Sequence, residues 1–215
     1  MAYTVIATAV ATPDTAPTNI TGADLLVFLV CGISAGTPTD DLGNIWNSLT
    51  LQTGYYGQDF GFWYAWPAVT GTGIFHSSGL FPSGVLIALN TGGVLSDPFD
   101  VENGTITGIP PAIGASLTPT QNNEIVIAGF GSQQIDPTTV NSGMTIAGSV
   151  DTTGGNFGTT MAYIIQTTAG TVQPTFTPSG WNDAVSGGIN VIASFKSTGG
   201  GGVTNPSRLS LLGVG

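Results

Sequence analysis

The chain predicts an all-β fold: an antiparallel β-sandwich, jelly-roll-like, of about ten strands, ending in a flexible glycine linker and a short apolar C-terminal tail. Three observations point there. Glycine and proline punctuate the whole sequence, with 33 and 13 copies, and the longest run free of both is residues 1–12. Helices of ordinary length need longer uninterrupted runs. Between the punctuation, Val, Ile, Thr, Phe and Tyr dominate, which is strand composition. The apolar runs are short and separated by turn signals, as in a sandwich.

In order, strands are expected over residues 3–10, 25–33, 46–52, 60–66, 73–76, 85–89, 124–130, 145–150, 161–167, 172–176 and 190–196. The runs at 25–33 (LLVFLVCGI) and 85–89 (VLIAL) are apolar without alternation. Such runs predict central strands covered on both faces. The runs at 124–130 and 161–167 share this character. Residues 1–196 form the expected sandwich domain, 197–205 the linker and 206–215 a docking tail. The linker, STGGGG from Ser197, is flexible by composition.

Only 7% of residues are charged, the net charge is −10, and Lys196 and Arg208 are the only fixed cations. Such a surface cannot neutralise phosphates, so nucleic acid is not an expected partner. Anionic membranes are excluded on the same ground. The longest apolar run is nine residues, well short of the ~20 a spanning helix needs. No positive n-region opens the chain, so no signal peptide is expected. Cys31 is the single cysteine, and no internal disulfide can form.

The stretch TDDLGNIW, residues 39–46, resembles the Asp box of sialidases. Thr39, Asp41, Gly43 and Trp46 match, and Ile45 replaces a threonine. Sialidases hold a substrate carboxylate with an arginine cluster and repeat the box. Here Arg208 is the only arginine and the box occurs once. The stretch is therefore expected to be a structural turn. Asp41 would accept backbone N–H bonds, Gly43 would take positive φ, and Trp46 would begin a strand and cover the turn.

Other chemistries lack their parts, and no enzyme activity is expected. His76 is the only histidine. Ser77 or Ser78 could join it only with an acid that no motif places. Zinc needs several His or Cys ligands, and the chain has one of each. A glycosidase needs two carboxylates; Asp59, Glu102 and Glu124 are the candidates. No cofactor is implied. The stretch SDPFDVENG, residues 96–104, offers Asp97, Asp100 and Glu102 as weak calcium candidates, since alternating oxygen ligands can hold the ion. Its Pro98 favours a plain polar turn.

Seven aromatics fall within residues 55–66. In a strand, Phe60, Phe62, Tyr64 and Trp66 share one face and Gly61, Trp63 and Ala65 the other. The first set suits a core. Trp63, with Tyr55, Tyr56 and Trp181, is a candidate for stacking on sugars or anchoring an interface.

The segments GADLLVFLV, DDLGNIWNSLTLQTG, FWYAWPAVTGTG, SDPFDVENG, LTPTQNNEIVIAGF, TTMAYIIQTT and NVIASFKS follow in this order. Together they resemble β-sandwich structural proteins of tailed bacteriophages and prophages, mostly of unassigned function, over most of residues 20–196. The closing RLSLLGVG resembles short tails of phage structural proteins more weakly. The resemblance implies a non-enzymatic virion component: capsid decoration, head fibre or tail-associated protein, made in the host cytoplasm. Its partners would be other virion proteins and sister copies, in a homo-oligomer such as a trimer. Arg208, Leu209, Leu211 and Leu212 would form the assembly tail. The alternative is a carbohydrate-binding or adhesin module using exposed aromatics.

Overall fold

The computed structural model describes residues 3–54, 57–93, 97–107, 112–132, 137–151, 157–178 and 188–197. All regular structure among them is strand. The first half holds β1 (Thr4–Ala11), β2 (Thr18–Asn19), β3 (Leu25–Ile33), β4 (Thr39–Asp40), β5 (Trp46–Ser48), β6 (Gln52–Thr53), β7 (Gln58–Ala65), β8 (Thr72–Gly73), β9 (Phe75–His76) and β10 (Leu80–Asn90). The second holds β11 (Phe99–Thr107), β12 (Ala112–Ile113), β13 (Glu124–Ser132), β14 (Pro137–Val140), β15 (Thr145–Asp151), β16 (Gly158–Gln166), β17 (Thr175–Pro178) and β18 (Gly188–Phe195).

Two antiparallel sheets form the sandwich. One runs β1-β10-β3-β7-β5, with β6 also paired to β7; the other runs β11-β18-β13-β16-β15. The antiparallel sandwich is thus as expected, with six strands in one layer and five in the other. The chain path adds a feature absent from the expectation: each large sheet is drawn from one half of the chain. The remaining strands form small sheets, β12-β17-β14, β2-β8 and β4-β9.

Side-chain alternation explains the layering. Leu25, Val27 and Leu29 of β3 and Phe60, Phe62 and Tyr64 of β7 point inward and meet Ile125, Ile127, Val191 and Phe195. The other face of β3 and β7 carries Leu26, Phe28, Val30 and Trp63, packed with Ile20 and Phe75 beneath the small pairs. The outer face of β13 carries Val126, Ala128 and Phe130, packed with Leu117 and Phe176. Both sheets are therefore covered on both faces, which is why their central strands are apolar throughout. Burying each ring contributes about 2–3 kcal/mol.

The sheets meet closely where glycines replace side chains. A Cβ on Gly129 would lie 2.7 Å from Leu29, and one on Gly131 would lie 2.7 Å from the Phe60 ring.

Within the two large sheets, one strand was not expected. β11 occupies the stretch taken for a polar turn, and it is the outer strand of its sheet. Acids and Asn103 mask its strand character, yet an edge strand tolerates such residues and is protected by them.

Candidate functional site

The box-like turn is structural, but its organising acid is Asp40 and not Asp41. Asp40 Oδ1 accepts from the backbone N–H groups of Leu42 at 2.9 Å and Asn44 at 3.2 Å, and Trp46 Nε1 donates to Oδ2 at 2.8 Å. Asp40, the last residue of β4, is half-buried against the loop it closes, while Asp41, just beyond the strand, is exposed. Asp41 Oδ2 accepts from Ile74 N at 3.3 Å, and its Oδ1 lies 3.3 Å from His76 Nε2. Gly43 has φ of 79°, as expected. Trp46 begins β5 and packs against Phe28 and Phe75. His76 Nδ1 also lies 2.8 Å from Asp14 Oδ1. The Asp14 hydrogen bond chiefly raises the imidazole pKa, against a smaller lowering by burial, with Asp41 assisting. This cluster ties β9 to the segment around Asp14 and to the turn after β4.

The calcium candidates are not brought together. Asp97 accepts from the Tyr64 hydroxyl and from Phe99 N. Glu102 accepts from Thr50 N at 2.9 Å and Thr50 Oγ1 at 2.7 Å. Asp100 turns to a different set of donors. Among the described residues no group of three or more His, Cys, Asp or Glu stands together as a cation site. The reason is that the segment is a strand, which spreads its acids along an edge. The acids counted for a glycosidase pair each bond separately: Asp59 accepts from Thr53 Oγ1, Glu102 from Thr50 and Glu124 from Gln121 N.

Trp63 is corrected from candidate ligand platform to core. It does stand opposite Phe60, Phe62 and Tyr64, but that face is covered, and Trp63 is 1% exposed. Tyr55, Tyr56, Trp181 and the tail residues Arg208, Leu209, Leu211 and Leu212 lie outside the described residues.

A polar cluster that the sequence did not reveal lies on the outer face of the second sheet, where β11, β18 and β13 run side by side. Val126 pairs with Ser194 and Ile125 with Phe195. Continuing that register by one residue sets Glu124 opposite Lys196. Lys196 and Ser194 share a face because they are two residues apart. A bulge between Phe99 and Glu102 brings Asp100 to them from β11. Lys196 Nζ lies 2.9 Å from Asp100 Oδ1, and the Asp100 side chain is 2% exposed against 37% for Lys196. Thr120 N and Oγ1 and Ser194 Oγ also donate to Asp100.

Glu124 is fully buried. Its Oε1 accepts from Gln121 N at 3.0 Å, while its Oε2 has no hydrogen-bond partner. Burial pushes its pKa up to about 7; Ser194 lowers it, and Asp100 raises it further. Burial also opposes charge on Asp100, yet the Thr120 donors, Lys196 and the Glu124 carboxyl outweigh it and hold that pKa at about 2. The two acids thus stand side by side with pKa values pushed in opposite directions.

Two surface features complete the survey. Leu80 and Phe81 are 62% and 53% exposed at the start of β10. Phe81 has φ of 52°, and the pairing of β10 with β3 is irregular between Leu80 and Ser83. A bulky residue at positive φ is a backbone outlier, and here it throws two apolar side chains outward. Elsewhere, a cleft of about 220 Å³ is lined by Thr50, Gln52, Glu102, Asn103 and Gly104, where β6 meets β11.

No protein-family model matches the chain, and neither a curated protein nor a solved structure does.

Proposed function

We propose that this chain is a non-enzymatic structural protein of a virus particle, one that decorates a capsid, forms part of a head fibre or joins the tail. The exposed pair Leu80 and Phe81 carries this reading. Strained backbone at a solvent-facing apolar pair is costly unless something uses it. A sister copy or another particle protein covering the pair recovers that burial, and apolar anchors dominate interface energetics. The near absence of cations supports an outward position, away from packaged nucleic acid. The segmental resemblance to phage β-sandwich proteins supports the same assignment.

The test is peptide mass spectrometry across a density gradient of particles from the source. Co-migration with a major capsid protein at fixed stoichiometry is expected, and its loss on replacing Leu80 and Phe81 with serine. Confinement to soluble fractions overturns the reading.

The cleft between β6 and β11 favours a second reading, carbohydrate binding. Its amide, carboxylate and hydroxyl lining suits sugar hydroxyls. Its volume of about 220 Å³ limits the occupant to something the size of a monosaccharide. Glycan-array binding that is lost on Gln52→Ala would support it.

A further inference from the structure

We propose that Lys196 and Asp100 join in an intramolecular amide, with Glu124 as the group that moves the protons. This goes beyond the assembly reading and does not depend on it.

The geometry supplies each requirement. The amine lies 2.9 Å from a carboxylate oxygen of Asp100, which is almost wholly removed from water. Held reactants of this kind reach very high effective concentrations. Thr120 and Ser194 fix the carboxylate by three further hydrogen bonds. A second carboxyl, Glu124, is buried beside them with one oxygen unpartnered. Lys196 is itself fastened: its N–H donates to Pro98 O at 2.7 Å and its carbonyl accepts from Tyr3 Oη at 2.5 Å. A structural ion pair needs neither the adjacent neutral acid nor the enclosure. A dehydrating condensation needs both.

The steps balance without an oxidant or co-reactant. A proton passes from Nζ to the Asp100 carboxylate, leaving a neutral amine and a neutral acid. The amine lone pair attacks Asp100 Cγ to form the C–N bond, and the C=O electron pair moves onto oxygen. The neutral Glu124 carboxyl gives its proton to the departing hydroxyl, and the C–O bond breaks to release water. Glu124 carboxylate then takes the surplus proton from nitrogen and returns to its starting form. The sum is an ammonium and a carboxylate converted to an amide and one water. The product replaces an ion pair whose carboxylate is buried with a neutral group, which removes the cost of keeping that carboxylate charge out of water. It also ties β18 covalently to the outer strand β11.

The full chain offers a simple readout, because Lys196 and Arg208 are its only tryptic sites. The purified chain, denatured before analysis, is expected to weigh one water less than its sequence. Trypsin should cut after Arg208 and not after Lys196, releasing residues 1–208 as one fragment that is itself one water light. Lys196→Arg and Glu124→Gln should each restore the full mass. Asp100→Asn should lose ammonia and give the same linked product. A wild-type chain of full mass that is cut after Lys196, after incubation at mildly acidic, neutral and mildly alkaline pH, overturns the proposal. So does a water loss that persists in Lys196→Arg, a variant that keeps a cation beside Asp100 and so retains the charge pairing of the fold.

Discussion

Trp46 Nε1 donates to Asp40 Oδ2 at 2.8 Å, tying the indole to the turn that precedes its own strand. The same carboxylate holds Leu42 N, Asn44 N and Asn44 Nδ2. Asp40→Ala leaves these donors without their acceptor, at a cost of about 2–3 kcal/mol. Asp41 makes only long contacts, and Asp41→Ala should cost less than about 1 kcal/mol. Urea unfolding of both variants checks the order. A larger loss for Asp41→Ala would mean that the box-like acid, and not its neighbour, organises the turn.

Two glycines separate two kinds of constraint. At Gly129 an added Cβ meets Leu29 at 2.7 Å and Val191 at 2.9 Å, so Gly129→Ala overpacks the space between the sheets. About 1–3 kcal/mol should be lost. At Gly43 nothing lies within 4 Å, but φ is 79°. Gly43→Ala should cost about 1–2 kcal/mol through backbone strain alone. Gly43→Asn, which accepts that conformation more readily, should recover part of the loss, and no such rescue exists at Gly129.

The strongly patterned parts of the fold were legible in the sequence. Unbroken apolar runs at 25–33 and 85–89 became central strands because both faces of each sheet are covered. The alternation of Phe60, Phe62 and Tyr64 against Trp63 was also legible. Whether the Trp63 face would be covered was not, since that depends on Ile20 and Phe75 arriving from distant loops. β11 escaped because an edge strand can carry acids, so its composition imitates a loop. The Asp100, Glu124 and Lys196 cluster escaped for a different reason. Its members lie on β11, on β13 and just past the end of β18, and only pairing register and one bulge align them.

His76 should titrate above the ordinary histidine value of 6.5, with the Asp14 bond as first cause. A raised value means stabilisation fully present below 6.5 and lost as pH rises through the folded value. The stabilisation is small because the groups are partly exposed. As the only histidine, His76 gives a single imidazole signal in an NMR titration. Asp14→Asn should lower its midpoint more than Asp41→Asn does. The reverse order would show the longer Asp41 contact to be the stronger one.

Glu124 and Asp100 set opposite limits on stability. The Glu124 pKa rises from 4.5 to about 7, so its contribution is complete below 4.5 and is lost as pH climbs through 7. For Asp100 the value falls from 3.8 to about 2, so its contribution is complete above 3.8 and is lost as pH drops through 2. Between them lies a mildly acidic window of greatest stability. On the alkaline side the slope is at most about 1.4 kcal/mol per pH unit for one proton. Glu124→Gln should flatten it, as followed by urea unfolding from acid to neutral pH. The acid limb requires a free Asp100 carboxylate. It should therefore appear in Lys196→Arg and be absent from a chain whose Asp100 is already an amide. The Glu124 limb should persist in both, because burial is its first cause and the state of Asp100 does not remove it. A wild-type acid limb as steep as that of Lys196→Arg would mean that Asp100 remains an acid.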